Sequence, residues 1–186
     1  MPKALAYGNS IELHTGILCI GGCDSIQCYN DVFQIQLIDG QIKIDTEWPS
    51  LPVPLANATA SLLGDKIYVA GGQKSMEKPE ATNYFFVLDL NSPNKGWKEL
   101  PSWPGEPRGY AVSTTQSDGF DKCFYLFSGR NYKADGYINT LTDGYAFNPR
   151  LNSWKKLKQS FPVMAGNALS CGANHILFLG GVPQLI

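Results

Sequence analysis

Arg108, Arg130, Asn57, Gln73 and Asn167 each stand at the end of an apolar stretch, where the side chains of short strands converge on a common mouth. Asn9, Tyr110 and Asn131 converge on the same place. An arginine so placed can hold a carboxylate through two parallel N–H···O bonds. Arg108 follows WPGEP and precedes an apolar strand, so its guanidinium can point into such a mouth. The competing role is structural, tying adjacent units together through backbone carbonyls, and the residues alone leave both roles open. Arg130 reads more readily as a solvated loop charge. Glu77 and Glu80 share one long polar loop and read as a solvated pair ahead of an acid/base pair. His14 and His175 both fall at hairpin turns on the face away from the mouth. The chain has no HExxH, phosphate-binding glycine loop, nucleophile elbow or CxxC zinc pair. The sequence therefore assigns binding groups but no catalytic residue, metal ligand or cofactor.

Positioning these residues requires a scaffold of strands. Nineteen glycines, twelve prolines and 12% aromatic residues in 186 favour short strands joined by tight turns over helices. The formal net charge of -1 and pI near 6.1 give no electrostatic case for nucleic acid or an anionic membrane. No apolar run approaches the roughly 20 residues that span a bilayer, and MPKALAYGNS lacks the apolar centre of a signal peptide. Of the five cysteines, Cys19 and Cys123 sit inside apolar strands and Cys171 ends one, so these read as buried small hydrophobes. Cys23 and Cys28 share a loop and could pair in an oxidising compartment.

The strands come in a repeating unit. KIYVAGG, a polar loop, YFFVLDL, the turn NSPNKG and WKELP fill positions 66–101. The same order recurs, with Gly21-Gly22 leading to Trp48, Gly71-Gly72 to Trp97 and Ser128-Gly129 to Trp154. From second glycine to tryptophan the steps are 26, 25 and 25 residues, and Gly180-Gly181 opens a further copy. Strands are expected at about 4–13, 16–21, 31–38 and 41–48; 57–63, 66–71, 84–90 and 96–100; 109–117, 122–128, 142–148 and 153–158; and 166–172 and 175–180. The loops 23–30, 73–83 and 130–142, with VPQLI, then build the mouth.

A period near 50 with a double glycine followed by tryptophan is the kelch signature. The predicted fold is all-β, a kelch-type β-propeller with about three and a half four-stranded blades: 1–50, 51–104, 105–160 and a half blade at 161–186. Propellers close with about 4–8 blades. An open arc leaves edge strands and an apolar face uncovered, so the chain is expected to be a fragment or one half of an assembly. A possible oligomer or complementing half-propeller, poor solubility and no activity in isolation follow from that expectation.

The stretch GWKELPSWPGEPRGYAVST, continued by FNPRLNSWKKLKQSFPVMAGNALSCGANHILFLGG, resembles the sialic acid mutarotases, or N-acetylneuraminate epimerases. The opening LAYGNSIELHTGILCIGG with DVFQIQLIDGQIKI resembles that family's last blade placed first, as in its cyclically permuted branch, typically bacterial. The resemblance covers nearly the whole chain and about the first half of a family member. It implies a six-bladed ring, a sugar acid (sialic acid) as substrate, and an intact parent that is periplasmic or secreted. It also implies an essential glutamate after an Asn-Gly turn, with an arginine a few residues on. The matching positions here hold Cys23, Gln73, Arg130 and Val182, so that pair is expected outside this chain. Arg108 matches the family's Pro-Arg position. The alternative is a non-catalytic kelch module binding a protein or glycan, since one fold hosts both.

Overall fold

A computed structural model of the chain describes residues 4–133, 136–158 and 162–181. The alternating stretches become antiparallel strands. The first sheet, in sequence order, is β1 (Asn9–Leu13), β2 (Gly16–Ile20), β3 (Val32–Ile38) and β4 (Gln41–Asp45). The second is β5 (Thr59–Leu63), β6 (Lys66–Ala70), β7 (Phe85–Asp89) and β8 (Lys98–Glu99). The third is built from β9 (Val112–Ser117), β10 (Lys122–Phe127), β13 (Gly144–Asn148) and β14 (Ser153–Lys156). A fourth sheet begins with β15 (Asn167–Cys171) and β16 (His175–Leu179). The register closes β1–β2 at Leu13↔Gly16 and β5–β6 at Leu63↔Lys66, so the turns predicted at His14-Thr15 and Gly64-Asp65 form.

The innermost strands stand side by side: β1 against β5, β5 against β9, and β9 against β15. Cores lie between neighbouring sheets. Ile11, Leu18, Ile20 and Val32 meet Leu51, Leu55, Ile67, Val69, Phe86 and Leu88 between the first and second. Tyr68, Ala70 and Phe85 meet Phe124, Leu126, Tyr145 and Phe147 between the second and third. Phe85 packs edge-on to Phe147 at 4.9 Å and tilts against Phe124 at 5.4 Å. Each large side chain buried this way stabilises by roughly 1.5–3 kcal/mol. Tyr125 and Phe127 continue the pattern toward Ile176 and Phe178 of β16.

The repeated tryptophans bind one sheet to the sheet before it. Trp97 Nε1 donates to the Pro49 carbonyl at 2.9 Å, and Trp154 Nε1 donates to the Pro101 carbonyl at 2.8 Å. The glycine pair is required by close packing as well as by its backbone angles. Gly71 has φ 68°, and a Cβ there would lie 2.2 Å from the Arg108 carbonyl oxygen. In the third sheet Ser128 takes that place with φ 51°. Its hydroxyl donates to the Leu141 carbonyl and accepts from the Val163 N–H at 2.9 Å, stitching the third sheet to the chain that follows.

Three findings differ from the sequence reading. The loop predicted at 130–142 contains a hairpin, β11 (Arg130–Tyr132) with β12 (Ile138–Thr140). Cys123 is buried as expected, but Cys19 is half-buried and Cys171 exposed. Cys171 ends β15 of a two-stranded sheet, with its carbonyl near the Gln116 amide and the residue exposed. His175 opens β16, and its carbonyl accepts from the Gln116 amide at 2.8 Å. Among the described residues, the helical element is a short 3-10 turn at Pro93–Lys95, and no helix is long and apolar enough to cross a membrane.

Candidate functional site

The mouth is built on a belt of main-chain bonds. Tyr7, Asn57, Tyr110 and Ala165 precede the four innermost strands, and each adopts a positive φ between 52° and 62°. Asn57 N–H donates to the Tyr7 carbonyl, Tyr110 N–H to the Asn57 carbonyl, and Ala165 N–H to the Tyr110 carbonyl, at 2.8, 2.8 and 2.9 Å. Left-handed backbone is unfavourable for a tyrosine or alanine. The belt bonds hold it in place, and Asn57 fits that conformation with the least strain.

One residue earlier, each unit makes a second bridge. Ala6 pairs with Cys23, Ala56 with Gln73, and Gly109 with Arg130, each by reciprocal N–H···O bonds of 2.8–2.9 Å. Cys23, Gln73 and Arg130 are therefore each pinned against the segment entering the innermost strand of their own sheet. Across the loop base these residues also face Cys28, Ala81 and Thr140. In the first unit that pairing is covalent, a Cys23–Cys28 disulfide with both cysteines buried. The corresponding Val182 and the VPQLI loop lie outside the described residues.

Below the belt opens a cleft of about 660 Å³, lined by the innermost strands. Its wall is polar, with Asn9, Ser10, Thr59, Ser61, Ser113, Thr115 and Asn167 among its residues. Ser113 Oγ lies 2.7 Å from Thr59 Oγ1 and 2.8 Å from Ser61 Oγ, a chain of three hydroxyls. No described lining residue is an aspartate, glutamate or histidine.

Arg108 does not reach this cleft. Its side chain is fully buried, with Nη1 donating to Asp143 Oδ1 and to the Ser128 carbonyl, both at 2.9 Å. The guanidinium stacks over Trp103 and Tyr145 at 5.4 and 5.3 Å. The role as a carboxylate grip in the open mouth is thus replaced by the blade-tying one. The reason is local: Arg108 occupies the place that Leu55 takes one unit earlier, each offering its carbonyl to the second glycine of the preceding pair. Burial alone would raise the Asp143 carboxyl. Hydrogen bonds from Arg108 and Tyr145, with the guanidinium charge, outweigh burial and hold it below the ordinary carboxylate range. Burial first, then the Asp143 hydrogen bond, pushes the Tyr145 phenol up to about 12.

Arg130 is the cation that stands at the mouth. Its guanidinium lies 4.0 Å from the Tyr110 ring centroid and 5.9 Å from that of Tyr132. Its Nε is buried and has no hydrogen-bond partner among the described residues. Gln73 and Asn57 are also buried, at 2% and 8% exposure. Their amide nitrogens both donate to Met76 Sδ, at 3.1 and 3.7 Å. Asn167 is exposed on the cleft wall. The structure therefore brings Asn57, Gln73 and Arg130 together at the mouth, places Asn167 in the cleft below, and sets Arg108 behind them. Met76, Glu106 and Asn139 escaped the sequence reading. Glu106 Oε2 accepts from Asn131 and Asn139 at 2.7 and 3.3 Å, fastening the β11–β12 hairpin to the segment carrying Arg108. The alternation RNY/YIN around Asp135-Gly136 was the available signal for that hairpin.

Three four-stranded sheets and the start of a fourth, ranged about a polar cleft, define a kelch-type β-propeller in part. The family model of N-acetylneuraminate epimerase matches residues 48–186, and the chain belongs to that family. An N-acetylneuraminate epimerase of Haemophilus influenzae (strain PittEE) is 34% identical over 140 residues, covering 72% of this chain and 33% of that protein. The Escherichia coli K12 protein of the same name is 30% identical over 139 residues, covering 74% and 35%. A kelch domain-containing protein of Vibrio cholerae serotype O1 is 32% identical over 139 residues, covering 73% and 36%. The solved structure of YjhT superposes with a TM-score of 0.58 at 27% identity, covering 74% of this chain and 37% of that one. The matched segment, about three quarters of this chain, covers about a third of these proteins' length.

Proposed function

We propose that this chain is an arc of an isomerase that interconverts the anomers of N-acetylneuraminate, and that the arc supplies binding groups rather than the acid/base pair. The family match over 48–186 carries the reading. Mutarotation opens and recloses a hemiacetal, so it needs a proton donor and acceptor at the anomeric hydroxyl and ring oxygen. The described cleft lining has neither a carboxylate nor an imidazole, which supports acid/base groups supplied from elsewhere in the ring. Arg130 holds the substrate carboxylate, its spare Nε–H and stacked guanidinium suiting a planar anion. Asn57, Gln73 and Asn167 orient the sugar.

Arg108 acts in this reading as a positioning residue. Its carbonyl accepts from Gly72 N–H, just before Gln73, and its guanidinium holds the Ser128 carbonyl, two residues before Arg130. The test is NMR of freshly released N-acetylneuraminate with the intact parent protein. Anomer exchange faster than the uncatalysed rate, lost on Arg130→Gln through a raised KM, is the expected result. Exchange at the uncatalysed rate overturns the assignment and leaves a binding module.

A further inference from the structure

We infer that Met76 is a displaceable cap over an oxygen-binding subsite formed by the side-chain amides of Asn57 and Gln73. The subsite takes an sp² oxygen of the ligand, a carboxylate or an amide carbonyl. This rests on the sugar-acid reading above for the identity of the ligand, but its geometry stands alone. A buried N–H donor is stabilised by an oxygen acceptor, and a thioether sulfur is a weak one. Here two amides, almost wholly removed from water, both end on the one Met76 sulfur. An apolar residue in that place could have been matched by apolar neighbours. Two converging amide donors instead leave a site that an oxygen satisfies better than sulfur does.

The cap can leave without disturbing the sheet. Met76 is 40% exposed and lies within the loop closed at its base by the Gln73–Ala81 bridge. The backbones of Asn57 and Gln73 are fixed, Asn57 by the belt and Gln73 by its reciprocal bonds to Ala56. The donors are thus buried on an anchored backbone, and the acceptor facing them sits on an unbranched, adaptable side chain. Gly109 adjoins the Gln73 side-chain oxygen and pairs with the Arg130 main chain, which sets the capped amides beside the residue whose Nε has no hydrogen-bond partner among the described residues.

The test uses the full chain carrying [methyl-13C]methionine, titrated with N-acetylneuraminate and, in parallel, with its analogue bearing a hydroxyl in place of the acetamido group. Met76 is the reporting methyl. The proposal expects its signal to move on binding, and expects Met76→Leu, which keeps bulk but removes the acceptor, to bind about three- to tenfold more tightly. A shift with both sugars assigns the carboxylate to the subsite; a shift with N-acetylneuraminate alone assigns the acetamido carbonyl. A sugar acid that binds while the Met76 methyl stays still, or a leucine variant no tighter than wild type, overturns the cap. If no sugar acid binds, the functional reading falls, and acetamide decides the cap separately: a Met76 shift retains an oxygen subsite for another ligand, and silence removes it.

Discussion

The junction between the first and second sheets and the junction between the second and third solve one packing problem in two ways. At the first, Leu55 fills the seat beneath the double glycine and is 2% exposed among aliphatic neighbours. At the second, Arg108 fills the matching seat and is 0% exposed, held by Asp143, the Ser128 carbonyl and two aromatic rings. Both offer a carbonyl to the second glycine before them, Leu55 to Gly22 and Arg108 to Gly72, each at 2.8 Å. The backbone task is identical, so the charge at Arg108 is not needed for it. An ion pair desolvated this far is weak evidence for stability in itself. Its distinguishing product is orientation, because Arg108 Nη1, held by Asp143, fixes the Ser128 carbonyl where a methyl group could not.

The largest effect should come from breaking that pair. Arg108→Ala leaves Asp143 partly buried without its cation and opens a void, costing about 3–5 kcal/mol in urea unfolding. Leu55→Ala at the matching seat should cost about 2–5 kcal/mol through cavity formation alone. The two should then separate by pH. The Asp143 carboxyl is depressed in the folded protein, so its stabilisation is complete above the unfolded value of about 4 and is lost as pH falls below it, through the folded value. Acid should therefore loosen the second junction first, seen as earlier exchange of the Trp154 indole N–H than of Trp97; simultaneous exchange would show that the ion pair carries no differential stability. Arg108→Ala should abolish that acid step, and Leu55→Ala should retain it.

Smaller changes sharpen the comparison. Trp97→Phe and Trp154→Phe each remove one bond to a proline carbonyl, so both should cost about 0.5–1.5 kcal/mol from that bond plus a modest packing loss. Unequal costs would mean that the aromatic cluster around Trp154 contributes beyond its hydrogen bond. The smallest effect belongs to Arg108→Leu combined with Asp143→Asn, which converts the second junction to the first kind. It should change stability by no more than about 1 kcal/mol while, on the proposed function, raising the KM for N-acetylneuraminate, since Arg130 loses its fixed neighbour.

The sheets were legible because glycine pairs, tryptophans and two-residue turns are local signals repeated at constant spacing. Arg108 was not, because a single arginine beside an apolar strand fits a mouth or a junction equally well. Laying RGYA over LANA would have placed it on Leu55, a position the fold buries. Met76 was passed over because a search for polar side chains ignores a thioether, and its meaning depends on two amides far away in sequence or around a bend. The Cys171 expectation failed because a strand's apolar character does not say whether a neighbour covers its outer face.

The belt of Tyr7, Asn57, Tyr110 and Ala165 has a consequence for how such a protein can change. Its bonds run from N–H to carbonyl, so the aperture is dimensioned by atoms that every residue type except proline shares. The side chains that project from it already differ widely, as a phenol, an amide, a second phenol and a methyl. A rim of this kind can be rewritten one position at a time, giving new ligand preferences without altering the frame that holds them.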